Sequence, residues 1–212
     1  MVRIMALLSS LLLAGCSVFG VRSGTEEPPY ELVARIGDDI EIRRYAPRLA
    51  AETEVEAASE EAGRNAAFRP LFDYISGANR GAEKIAMTAP VAIDDAGGRK
   101  IAMTAPVATA PSGDGRYAMR FFLPASLTPQ TAPQPTDPRV RVIEVPAELL
   151  AVLRFSGGAS TSALDRRKAE LLARLQGSDW RPAGDPISYL YDPPWTLPFL
   201  RRNEVAVPVV AR

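Results

Sequence analysis

No histidine occurs anywhere in the 212 residues, and cysteine occurs once, at Cys16. Without imidazole, Ser-His-Asp and Cys-His catalysis are excluded, as are zinc sites built on His or Cys. A lone cysteine forms no intramolecular disulfide. Charge of one sign is not in excess either: 25 basic residues balance 25 acidic ones. Nothing in that balance favours nucleic acid or an anionic surface. No apolar run reaches the roughly 20 residues that span a bilayer. The adjacent carboxylates Glu60-Glu61 and Asp94-Asp95 sit where acids have ordinary structural reasons, at a helix start and in a turn. No glycosidase pair or metal site stands out, and a non-enzyme is expected.

The first residues, Met1-Val2-Arg3, carry one positive charge, and an apolar stretch from Ile4 to Ala14 follows, broken by Ser9 and Ser10. A charged start, a short apolar stretch and small residues at a cut describe a secretory signal peptide over residues 1–15. The stretch ends Leu13-Ala14-Gly15-Cys16, which resembles the bacterial lipobox. That resemblance implies lipidation of Cys16, a membrane partner and a place in the cell envelope. Ser17 follows where an Asp would retain the protein, so in a diderm bacterium the outer membrane facing the periplasm is expected. Residues 16–29 read as the lipidated N-terminus and a flexible tether, with Pro28-Pro29 at its end.

From residue 30 the pattern becomes that of one α+β domain, expected over 30–212. Tyr30 to Ile36 and Ile40 to Tyr45 alternate apolar and polar residues around Gly37-Asp38-Asp39, a hairpin signal. Arg48 to Glu56 alternates again. Ser59 caps a helix with Phe68, Leu71, Phe72 and Ile75 at helical spacing and Gly77 at its end. Pro70 is expected to kink it. Residues 84–92 and 100–108 both read KIAMTAPVA and are expected to form paired strands around the turn at 94–98. Tyr117 to Leu123 is another strand, followed by a proline-rich loop over 124–138. Val140 to Val145 and Leu149 to Phe155 are strands. A second helix starts at Ser160 to Ser162 and buries Leu164, Leu171, Leu172 and Leu175. A strand from Ile187 to Tyr191, a Pro-rich loop over 193–203 and a strand from Glu204 to Val210 complete the chain. The order implies two similar halves, with two helices against a curved antiparallel sheet or distorted β-barrel.

Four segments, IEIRRYAP at 40–47, AFRPLFDYISGAN at 67–79, the doubled IAMTAPV and YDPPWTLPFLRRNEVAV at 191–207, together resemble the SOUL haem-binding family over residues 30–210. The resemblance implies a distorted β-barrel with two flanking helices, and non-catalytic binding of haem or another tetrapyrrole. It also implies an apolar surface near the first helix, with basic groups toward the propionates. An axial histidine, credited to some members, has no counterpart here. The candidate cofactor-binding residues are Arg64, Phe68, Phe72, Met87, Met103 and Tyr191. Arg64 either reaches a propionate or is a solvated surface side chain. Phe68 and Phe72 form either an apolar wall or part of the core, and Met87 and Met103 either ligate or fill the core. With no imidazole, Tyr191 or Tyr74 is the best axial-ligand candidate left. Trp195 and Phe199 either cover a ligand or cap the sheet, and Arg201-Arg202 reads as a solvated pair. The expected partner is a small hydrophobic ligand, and the chain is expected to be a monomer. Two other functions stay open: a binder of another hydrophobic molecule, or a structural envelope lipoprotein with no ligand.

Overall fold

The alternation in the N-terminal half becomes three strands. β1 (Tyr30–Ile36), β2 (Ile40–Tyr45) and β3 (Arg48–Glu56) follow one another closely. Gly37, at φ +63°, supplies the left-handed residue of the first turn. The structure is a computed structural model describing residues 25–80, 107–111, 116–193 and 195–212. Cys16, Met87, Met103 and the turn at 94–98 lie outside the described residues, as does all but the end of the repeated pair of strands.

The first helix, α1 (Glu60–Ile75), begins where Ser59 Oγ accepts a hydrogen bond from the Ala62 amide at 3.2 Å. It runs unbroken through Pro70, which is buried. Among the described residues, the short strands β4 (Asn79–Arg80) and β7 (Gln134–Pro135) pair only with each other. Between them come β5 (Val107–Pro111) and β6 (Arg116–Phe122). The second half repeats the pattern with β8 (Arg141–Val145), β9 (Glu148–Phe155) and α2 (Thr161–Leu175), followed by β10 (Trp180–Pro182), β11 (Ile187–Leu190) and β12 (Asn203–Ala211).

The main sheet is antiparallel and ordered β1-β2-β9-β12-β11-β5-β6-β3-β8, with β10 also on β12. That order explains the two similar halves. With β2 matched to β8, β3 to β9, β5 to β11 and β6 to β12, the central eight strands read the same from both ends. Each half lends its first strand to the other: β2 pairs with β9, and β8 with β3. Of the two expected shapes, the curved antiparallel sheet holds and the closed β-barrel does not. The sheet is open, with β1 and β8 as its edges among the described residues, and no register joins them. Burial is achieved instead by the helices on one face and by curvature toward the other.

The period-two alternation of the strands sorts the core. On one face, Leu49, Ala51, Met119 and Phe121 pack against Ala67, Leu71, Tyr74 and Ile75 of α1. Beside them Ile40, Ile42, Leu153, Val205 and Val207 pack against Leu164, Leu171 and Leu175 of α2. On the opposite face lie Tyr45, Ala50, Phe122, Leu150, Val152, Tyr189 and Ala206. Gly63 lets α1 approach the sheet closely, since a Cβ there would lie 2.9 Å from Tyr117 Cβ.

Candidate functional site

The face away from the helices carries a charged cluster that alternation alone would place in solvent. Glu204 heads β12 and its side chain is 0 % exposed. Five hydrogen bonds converge on its carboxylate. Arg43 Nη1 and Nη2 donate to Oε2 and Oε1 at 2.9 and 3.2 Å. Arg202 Nε and Nη2 donate to Oε1 at 3.1 and 2.9 Å, and the Tyr191 hydroxyl donates to Oε2 at 2.7 Å. Burial opposes ionisation of Glu204, but the two guanidinium groups outweigh it and hold its pKa below the ordinary carboxylate range. Arg43 also donates to Glu41 at 2.8 Å, and Arg202 to both oxygens of Glu27 at 2.9 and 3.1 Å. Arg201-Arg202 is therefore not a solvated pair. Arg202 is built into this network, and Arg201 Nε donates to the Thr196 carbonyl at 2.7 Å.

Beside the cluster is a crevice of only about 10 Å³, lined by Tyr30, Tyr45, Arg48, Phe122, Tyr189 and Tyr191, with Glu27 at its edge. Small-molecule sites usually hold roughly 300–1,000 Å³, so this one is too small for a porphyrin. Arg48 lies between the rings of Tyr45 and Phe122, its guanidinium carbon 4.4 and 4.6 Å from their centres, and donates to Glu148 at 2.9 Å.

The second feature is on α1. Phe68 and Phe72 are 43 % and 41 % exposed, while Leu71 and Ile75 of the same apolar stripe are buried. The two rings stack at 5.7 Å and 15°, and Phe68 meets buried Phe121 edge-on at 5.5 Å. The result is an exposed pair of stacked rings on a helix, backed by core. Arg69, exposed between them in sequence, lies 3.6 Å from Asp73. The sequence reading did not single it out; its place beside two aromatic residues on one helix was the available signal.

The other expected site residues are elsewhere or otherwise engaged. Arg64 lies one turn before Phe68 and points inward: Nη2 donates to the Ala159 carbonyl at 2.8 Å, and Nη1 is 3.7 Å from Glu60. It is neither a solvated surface side chain nor, in this rotamer, directed at the Phe68–Phe72 surface. Tyr74 is buried, with its hydroxyl donated to the Pro133 carbonyl at 2.7 Å. Tyr191 belongs to the Glu204 cluster. Burial, then the nearby Glu204 charge, push its phenol pKa well up, so it holds its proton. The structure thus brings Phe68 and Phe72 together and leaves Tyr191 on the other face of the sheet. Among the described residues, no group of three or more Asp, Glu, His or Cys could hold a metal ion. No helix among them is long and apolar enough to cross a membrane.

A family profile described as "SOUL heme-binding protein" matches residues 25–208. The chain belongs to the SOUL haem-binding family. A search of curated proteins finds no sequence match. Among solved structures, the EcmrR C-terminal domain is similar at a TM-score of 0.59 and 10 % identity, covering 86 % of this chain and 99 % of that one. A hydrolase from Listeria innocua is similar at 0.52 and 10 % identity, covering 81 % and 92 %. At such identity these likenesses show a shared fold. The SOUL match makes a tetrapyrrole the first ligand to test against the geometry. On α1 the exposed Phe68 and Phe72 rings are the apolar contact that a tetrapyrrole could use; the tyrosines do not fit iron ligation, because both hydroxyls are already donated.

Proposed function

We propose that this protein is a lipid-anchored tetrapyrrole-binding protein of the bacterial cell envelope, acting without catalysis. One observation carries the binding site: two stacked phenylalanines, each more than two-fifths exposed, on a helix backed by core. Exposed aromatic rings in such an array cost free energy in water that a planar ligand would recover. Phe68 and Phe72 would hold the ring system, and Arg69, exposed beside them in sequence, would exchange Asp73 for a propionate. The bound group would supply a redox-active iron where it is haem. The protein's own part is apolar burial and charge at the rim, which suits reversible holding and release. Family membership supports the ligand class. The Leu13–Cys16 sequence supports the anchor and hence the envelope, with the outer membrane as its site in a diderm cell. The protein would act as a monomer.

The test is a titration of the purified protein with haem and with metal-free porphyrin, followed by the Soret band and tryptophan quenching. Saturable binding of both, weakened in a Phe68→Ser, Phe72→Ser double variant, is expected. Equal affinity for the two ligands would mean that iron makes no important bond to protein. Absence of saturable binding would overturn the reading. A non-porphyrin molecule co-purifying with protein taken from its own membrane would favour another hydrophobic ligand.

A further inference from the structure

The loop between β11 and β12 is held as a rigid finger. Its base is closed by the Arg202 amide, which donates to Asp192 Oδ2 at 2.7 Å. Inside it, the Thr196 amide donates to the Pro193 carbonyl at 3.1 Å and the Leu200 amide to the Leu197 carbonyl at 2.9 Å. Thr196 is buried and its carbonyl takes the Arg201 Nε bond. The Gly157 amide donates to the Pro198 carbonyl at 2.9 Å, and Asn203 Nδ2 to the Gly157 carbonyl at 3.1 Å, tying the finger to the end of β9. Despite this order, its outer side chains are apolar and face water. Trp195 is 63 % exposed and Phe199 69 %, the two most exposed large apolar side chains among the described residues, and Leu200 is 36 % exposed.

The N-terminal segment reaches the domain at this same place. Glu27 is bonded to Arg202 at the finger's base by both carboxylate oxygens. Glu26 accepts from the Ala125 amide at 2.8 Å, which fixes the segment's course beside it. Thr25 is nine residues from Cys16, a length that spans at most roughly 32 Å even when fully extended. A lipid on Cys16 therefore keeps the finger within a few nanometres of the bilayer. Trp favours the membrane–water interface, where one part of its ring is apolar and another wet, and Phe and Leu bury at the headgroup–acyl boundary. The finger's internal bonds mean that little further ordering is needed when it enters.

We infer that the Trp195–Phe199–Leu200 finger docks into the interface of the lipid bilayer, so that the domain is oriented on the membrane as well as tethered to it. This rests on the anchored reading above, and the test separates the two. Cys16 is the only thiol, so the full chain can be coupled through it to a maleimide-headgroup lipid in phosphatidylethanolamine–phosphatidylglycerol vesicles. Docking is then measured whether or not the cell lipidates Cys16, which the mass of the mature protein decides on its own. The emission lost in Trp195→Phe defines the Trp195 signal, with Trp180 as internal reference. On attachment, that signal should shift to shorter wavelength and fall at least twofold when the acyl chains are brominated near the headgroup. Phe199→Ser with Leu200→Ser should restore most of it while leaving the Trp180 signal unchanged. An unchanged Trp195 spectrum, with unchanged quenching by acrylamide, would overturn the inference. So would shielding from acrylamide without quenching by brominated lipid, because a second copy or another protein would then be the cover.

Discussion

Replacing Glu204 with Gln removes the charge that Arg43 and Arg202 share, and leaves the shape of the site almost unchanged. The Glu204 side chain is wholly buried and that of Arg43 is 4 % exposed, so neither charge is relieved by water. Removing one partner of a buried ion pair costs roughly 3–5 kcal/mol, because the other charge is left desolvated. Glu41 and Glu27 remain beside the two arginines, and Gln can still accept a hydrogen bond, so the lower end of that range applies. A loss of about 3 kcal/mol in a domain of this size lowers Tm by roughly 6–12 °C. Thermal melting followed by circular dichroism measures this, and urea titration should show a lower midpoint at unchanged slope. Combining Glu204→Leu with Arg43→Met should recover part of the loss, since that pair is then apolar on both sides. The pH dependence gives an independent check. The folded-state pKa of Glu204 is lowered, so its contribution is fully present above the ordinary carboxylate pKa of about 4.3 and is lost as pH falls through the folded value. The parent protein should therefore lose more stability on acidification than the Gln variant does. A Tm change under about 2 °C, the scale of an ordinary exposed ion pair, would refute the reasoning.

Substituting Ser for both Phe68 and Phe72 forfeits about 2 kcal/mol of ligand burial, from two rings each less than half exposed, and should weaken porphyrin binding roughly 30-fold in a Soret titration. Gly63→Ala gains helix propensity of up to about 1 kcal/mol but drives a methyl group into Tyr117, an overpacking that costs roughly 1–3 kcal/mol. Net destabilisation in a melting experiment is expected, and a more stable variant would show that Tyr117 moves freely. Ser59→Ala and Ser160→Ala each remove the side chain that caps a helix, and urea titration should show a loss of about 1 kcal/mol apiece.

Most elements were legible in the sequence because their causes are local. The alternation of Tyr30 to Tyr45, the capping serines at 59 and 160 and the leucine spacing of α2 lie within a few residues of what they determine. Membership in the SOUL haem-binding family was legible too, through segments spread along the chain. The site was legible only in part. Helical spacing put Phe68 and Phe72 on the stripe with Leu71 and Ile75, but a stripe does not say which of its edges the sheet covers. Whether the sheet closed was likewise decided by how its edge strands lie in space. Arg64 and Arg202 read as surface cations, yet one turns to a carbonyl 95 residues away and the other joins a buried cluster.

The absence of histidine, with a single cysteine, was enough by itself to remove imidazole and thiolate chemistry from the described domain. It left tyrosine as the best candidate to ligate iron, with the methionines as further candidates. The tertiary structure decided what those tyrosines do. Tyr191 donates its proton to Glu204, and Glu204 meets Arg43 from 161 positions earlier. No local pattern encodes a pairing across that distance; it exists because the two halves exchange their first strands and bring β2 and β12 to either side of β9.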